Sequence, residues 1–253
     1  MINGWTPYFL SKVLWGDRRK FGFVPDLMDS DWLIWQEKAY SDFYQNTQQH
    51  GIGDMVCKMA YPVIEGIDFR GKQVLEIGPG IIRHLDYIHT YIHTYILCDI
   101  NKDFLKHAER QLQDHNINYK SLVKQKNDPY LSLEDNSIDI LITFNSLEHL
   151  YPLEDYLLEL VRVLRPGGQI VGGIPCEGGI AWGLGRFLTT RRYVHKNYGI
   201  NYDKIICWEH PNFADFIVER LDAHFERKYL KLHPFAVLPM DLNLVASFVY
   251  QKR

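Results

Sequence analysis

Apolar residues along this chain change their spacing in a regular way, and the changes mark out its elements. Between residues 73 and 174, short apolar runs alternate with longer stretches in which apolar positions recur every three or four residues. The runs predict strands near 73–77, 94–98, 119–124, 138–144 and 169–174, and the intervening stretches predict helices near 83–91, 102–114 and 153–164. Strands apolar on both faces and separated by helices imply a parallel sheet covered on either side, an α/β architecture. Ligands of such sheets lie at the carboxyl ends of the strands.

The flanks read differently. Residues 1–70 are rich in aromatics, with Trp5, Trp15, Trp32 and Trp35 in the first half. Helical spacing over Asp31–Tyr44 predicts a helix starting at Ser30 or Asp31 that covers one edge of the ligand cleft. The segment Tyr8–Trp15, followed by Arg18, Arg19 and Lys20, reads as a helix packed on the core or on a second copy of the chain. An amphipathic helix on a membrane surface is the alternative. After the last parallel strand, residues 175–210 leave the sheet at its ligand edge. A connection of this length is functional or disordered, and Trp182, Leu184, Phe187, Leu188, Tyr193 and Tyr198 point to a partly helical lid. A helix from Asn212 to about Leu221 and two β-rich runs, Phe225–Leu232 and Leu244–Tyr250, follow. The expected division is a helical cap over 1–70 and a ligand-binding domain over 71–253 with the lid as its insertion.

Polar residues interrupt the strand ends at telling places. The first strand carries Glu76 and breaks into Gly78-Pro79-Gly80, a turn in which glycine tolerates positive φ and lets backbone approach a ligand. The second strand ends in Asp99, 21 residues after Gly78, where a carboxylate can accept both hydroxyl hydrogens of a ribose. The turn Asp135-Asn136-Ser137-Ile138-Asp139 feeds the fourth strand, which ends at Asn145 and is followed by Leu147-Glu148-His149. The helix after it closes on Val163-Leu164-Arg165-Pro166-Gly167-Gly168, whose glycines are expected to stop it.

These four segments, in this order over about residues 70–175, resemble the class I S-adenosylmethionine-dependent methyltransferases of the small-molecule branch. The resemblance implies a Rossmann-like, seven-stranded, mostly parallel sheet with helices on both faces and an antiparallel carboxy-terminal hairpin. It also implies S-adenosyl-L-methionine as cofactor. Gly78 and Gly80 would pass beneath the amino-acid moiety of the donor, and Glu76 would order that loop or the ligand. Asp99, with Ile100 beside it, would take the ribose hydroxyls. Asn127 or Asp128 would accept from the adenine amine, and Asn145 would approach the methionine end. A nicotinamide-dependent dehydrogenase shares the strand, loop and acid, but its G-x-G-x-x-G pattern fails at Arg83, whose side chain obstructs close packing over a pyrophosphate.

Methyl transfer to an oxygen of high pKa benefits from a general base, and histidine suits neutral pH. His149, His210 and His195 are the candidates, with His84 after the glycine loop a further one. His89 and His93 stand four apart, as zinc ligands on a helix do, but no acid or cysteine nearby completes a set, and no metal is expected.

Composition narrows the partners. The formal net charge of −3 over 253 residues argues against a nucleic-acid substrate. A local basic group remains, Arg186, Arg191, Arg192 and Lys196, to be read as a phosphate contact or as a solvated helix face. Cys57, Cys98, Cys176 and Cys207 lack C-x-x-C spacing and read as reduced. With no apolar run of about 18 residues and no signal-peptide pattern, a cytoplasmic protein is expected. The function expected is methylation of a small molecule under the aromatic lid, at the oxygen of a sugar, glycolipid precursor or secondary metabolite. A donor-binding sensor or partner subunit without turnover is the alternative.

Overall fold

The computed structural model describes residues 6–40, 52–88 and 91–253. Seven strands form one sheet: β1 (Gln73–Ile77), β2 (Thr94–Asp99), β3 (Tyr119–Val123), β4 (Ile138–Phe144), β5 (Leu164–Pro175), β6 (Glu226–His233) and β7 (Val245–Gln251). Their order is β3-β2-β1-β4-β5-β7-β6. The first five are parallel, while β7 runs antiparallel between β5 and β6. The reversal of strand order between β1 and β4 opens a crevice at their carboxyl ends.

The helices are α1 (Tyr8–Trp15), α2 (Arg18–Phe21), α3 (Ser30–Ile34), α4 (Ile52–Lys58), α5 (Lys102–Asp114), α6 (Leu153–Val163), α7 (Ile180–Leu188), α8 (Thr190–Tyr198), α9 (Tyr202–Glu209) and α10 (Ala214–His224). Alternation along the strands divides the core. Leu75, Ile96 and Leu141 pack with Leu157 of α6 and Ile217 of α10 on one face. Val74, Leu97 and Ile142 pack with Leu105 and Leu112 of α5 on the other. A third cluster joins the amino-terminal region to the segment after β5: Leu14, Trp15, Trp32 and Trp35 pack with Tyr202, Ile206 and Trp208 of α9 and with Phe213.

Polar contacts fasten this third cluster. Trp208 Nε1 donates to the Phe21 carbonyl at 2.8 Å, and Lys204 pairs with Asp29 at 2.7 Å and Asp31 at 2.9 Å. Arg186, one of the candidate phosphate contacts, is instead buried: it donates to the Leu14 carbonyl and pairs with Asp203 at 2.9 Å. Arg191 reaches the same carboxylate at 2.8 Å. Half of the basic group therefore ties α7 and α8 to α1 and α9.

Three elements depart from expectation. Of the helix predicted near 83–91, the described residues form only a 3₁₀ turn over Leu85–Tyr87. Gln111 of α5 takes both backbone groups of Ile82, accepting from its N–H and donating to its carbonyl at 2.9 Å each, which replaces the pairing a helix would supply. The helix predicted from Ser30 is α-helical only to Ile34 and widens into a π turn over Trp35–Ala39, capped at its start by Asp29. Its predicted end, 41–44, lies outside the described residues. Finally, α6 runs directly into β5 at Leu164, and the glycines expected to separate them lie within the strand, where Gly167 at φ +76° accompanies a register shift against β4. Among the described residues no helix is long and apolar enough to cross a membrane.

Candidate active site

A cavity of about 1160 Å³ lies at the carboxyl ends of β1, β2, β4 and β5 and extends beneath α7, α8 and α9. Its floor is the turn after β1. Gly78 and Gly80 adopt φ of +66° and +51°, and a Cβ on Gly78 would stand 2.8 Å from the Ser146 Cβ, so only glycine lets the turn close on the end of β4.

Beneath this turn sits a buried polar chain. Tyr95 donates its hydroxyl hydrogen to Glu76 Oε2 at 2.6 Å, and His84 Nε2 lies 3.2 Å from the Tyr95 oxygen. Burial pushes the Glu76 carboxyl up to about 8, with Asp99 adding to the rise and the Tyr95 hydrogen bond opposing it. Burial also holds His84 neutral, down at about 3. Glu76 thus borders the cavity while its carboxyl is engaged from below.

Asp99 ends β2 and lines the cavity with Ile100. Its Oδ1 accepts from the Asn101 N–H at 2.8 Å. Burial raises its pKa, against backbone hydrogen bonds from Asn101, Gly80 and Ile100 that favour the charged form. Asn127 also lines the cavity, with φ at +61°. Its neighbour Asp128 does not; it lies 3.5 Å from Lys124 and accepts from the Tyr130 N–H. Asn145 lines the cavity at φ +51°, its N–H paired with the Gly173 carbonyl at 2.9 Å and its amide donating to Cys57 of α4.

Between the ends of β4 and β5 and α9 the cavity holds an acid–base cluster. His210 Nδ1 donates to Glu177 Oε2 at 2.6 Å, and Glu177 Oε1 accepts from the Trp182 indole at 3.1 Å. Burial disfavours the His210 cation, but Glu177, Glu148 and Glu209 outweigh that, and its pKa is raised. The His149 ring meets His210 edge to face, centroids 4.4 Å apart, and its Nδ1 bonds the Glu209 carbonyl at 2.7 Å. Desolvation and the His210 charge lower the His149 pKa, tempered by solvent screening since 37% of its side chain is accessible. Two carbonyls hold the 210–211 turn from outside, accepting from Arg18 of α2 at 2.8 and 2.9 Å.

His195 is placed elsewhere, exposed on α8 and away from the cavity. His89 lies outside the described residues, and His93 is exposed just before β2. Sequence reasoning missed Glu177 and the part played by Glu148. The signal for Glu177 was available: like Asp99, it is an acid at the carboxyl end of a strand.

Residues 75–172 match the methyltransferase domain family. The chain is 30% identical over 105 residues to a probable S-adenosylmethionine-dependent methyltransferase of Mycolicibacterium smegmatis, a match covering 42% of this chain and 38% of that one. It is 36% identical over 107 residues to a fatty-acid O-methyltransferase of the same organism, covering 41% and 37%. The matched segment thus takes up under two-fifths of each relative. Among solved structures, the N-methyltransferase NodS of Bradyrhizobium japonicum, crystallised with S-adenosyl-L-homocysteine, superposes with a TM-score of 0.57 at 11% identity, covering 88% of this chain and 99% of that one, a likeness of fold. The motif order and the β3-β2-β1-β4-β5-β7-β6 sheet agree with this match to a methyltransferase domain over residues 75–172.

Proposed function

We propose that the chain transfers a methyl group from S-adenosylmethionine to a hydroxyl of a small molecule, such as a sugar, a glycolipid precursor or a secondary metabolite, beneath the aromatic lid. The residues present fit the donor. Positive-φ glycines at 78 and 80 give a backbone floor, and Asp99 and Asn127 line the same cavity as Asn145. Small-molecule sites commonly have about 300–1,000 Å³, so a cavity of about 1160 Å³ leaves room for an acceptor beside the donor. When bound, the donor supplies an electrophilic methyl on a sulfonium, whose transfer is mainly a matter of positioning and exclusion of water.

The observation that carries the oxygen-acceptor reading is the His210–Glu177 pair. Donation from Nδ1 to Glu177 fixes the tautomer that leaves Nε2 as the proton acceptor. Glu177 also steadies the imidazolium that forms when His210 takes the hydroxyl proton, the arrangement of a base oriented by a carboxylate. Trp182 and Arg18 hold the two partners in place.

The test is a screen of glycosides, hydroxy lipids and phenols with methyl-labelled donor, repeated with His210→Ala. Loss of about 10²–10⁴-fold in turnover, the range of general base catalysis, with donor affinity kept, is the expected result. Full activity in the variant contradicts the assignment of the base.

A further inference from the structure

One carboxyl in the cavity has an unmet oxygen. Glu148 is 2% exposed and lines the cavity, and its Oε2 makes no hydrogen bond. Buried carboxyls are ordinarily satisfied, because an unmet buried acceptor is costly. The cation that faces Glu148 is His210, already bonded to Glu177. The buried Arg186 is held by Leu14 and Asp203.

Resting on the methyltransferase reading above, we infer that Glu148 is the binding residue for a protonated amine on the acceptor, so that the substrate is a small amino alcohol, an amino sugar among them. A neutral hydroxyl would satisfy the hydrogen bond but not the surrounding charge. Glu177 and Glu209 border the same cavity, giving three carboxyl groups on its lid side. Low-dielectric walls concentrate the field of such a group. Those walls are aromatic: Trp182 donates to Glu177 and Trp35 to Glu209, with Tyr202 beside them. Carboxylates among aromatic rings are the chemistry that selects an ammonium.

The charge state of the site supports the assignment. Burial, with Glu177 adding to it and His210 opposing it, holds the Glu148 carboxyl up at about 8. Glu148 is then largely protonated near neutral pH, and an arriving ammonium displaces its proton. Binding of an amine therefore releases a proton to the buffer, which a neutral ligand does not.

The experiment begins with calorimetric titration of S-adenosylhomocysteine. Absence of binding there removes the methyltransferase reading itself and is distinct from failure of this inference. The loaded protein is then titrated, followed by NMR, with glucosamine against glucose and with 2-aminoethanol against ethylene glycol. At least one amine is expected to bind about tenfold or more tightly than its neutral counterpart, the scale of one charge-assisted hydrogen bond. Its calorimetric heat is expected to vary with the ionisation enthalpy of the buffer. Glu148→Gln should bring the ratio to near one, and Glu148→Asp should restore part of it. S-adenosylhomocysteine binding by each variant reports that it has folded. Equal binding of amine and neutral partner, no binding by either up to tens of millimolar, or a preference that survives in Glu148→Gln overturns the inference.

Discussion

Three buried carboxyls, Glu76, Glu148 and Glu177, and one histidine set most of what this site does with pH. His210 must be neutral to accept a proton, and Glu177 holds its pKa up. Activity is therefore expected to rise with pH through a value above the ordinary imidazole range. Glu177→Gln should move that limb to lower pH and lower the plateau, measured as kcat/KM against pH or as the His210 NMR titration. Glu76 bears on stability instead. Its folded pKa is raised, to about 8, so the folded state holds a proton that the unfolded chain gives up above the ordinary carboxylate range. Its contribution is intact at acid pH and lost as pH rises toward 8. Glu76→Gln keeps an acceptor for Tyr95 without a charge to bury. The variant should lose less stability than the wild type between pH 5 and 8, by about 1–3 kcal/mol, the cost of an uncompensated buried polar group. Urea unfolding at the two pH values reads the difference. At this scale the strand-end acids were legible in the sequence, since Glu76 and Asp99 interrupt apolar runs. The Glu177–His210 pair was not, because its members stand 33 residues apart and only the fold brings them together.

The strands and the long helices α5, α6 and α10 were legible at the scale of elements because one period persists through each. The helix near 83–91 was misread for a physical reason. Its apolar positions are buried as a helix would bury them, with Ile82 at 3% and Leu85 at 6% exposure, but Gln111 supplies the backbone pairing from a different element. The join between amino-terminal region and the segment after β5 was also hidden, since its contacts cross more than 160 residues, as between Trp35 and Glu209 or Arg18 and His210. That join carries a prediction. Arg18 donates to the carbonyls of His210 and Pro211 and lies over the Phe213 ring at 3.8 Å. Arg18→Ala is expected to cost about 1.5–3 kcal/mol of stability, the scale of a hydrogen bond to a charged group, read by urea unfolding. It should lower kcat for methyl transfer more than it weakens donor binding, because the turn it secures bears the proposed base and not the glycine turn proposed to hold the donor.

Across the whole molecule, the two halves of the cavity divide the work. The carboxyl ends of β1, β2 and β4 furnish glycines and small polar groups against one half, and the other is closed by aromatic rings of α7 to α9 with Glu148 after β4, Glu177 after β5 and Glu209 of α9. Neither half contains both a donor floor and a base. The account rests on the first half holding S-adenosylmethionine. Calorimetric titration with S-adenosylmethionine and S-adenosylhomocysteine, repeated with Asp99→Ala, addresses that claim directly. Micromolar binding is expected, weakened in the variant by about 1–3 kcal/mol, the scale of lost hydrogen bonds to a charged group. A wild-type protein that binds neither compound, or a variant that binds both as tightly as the wild type, contradicts the site as assigned.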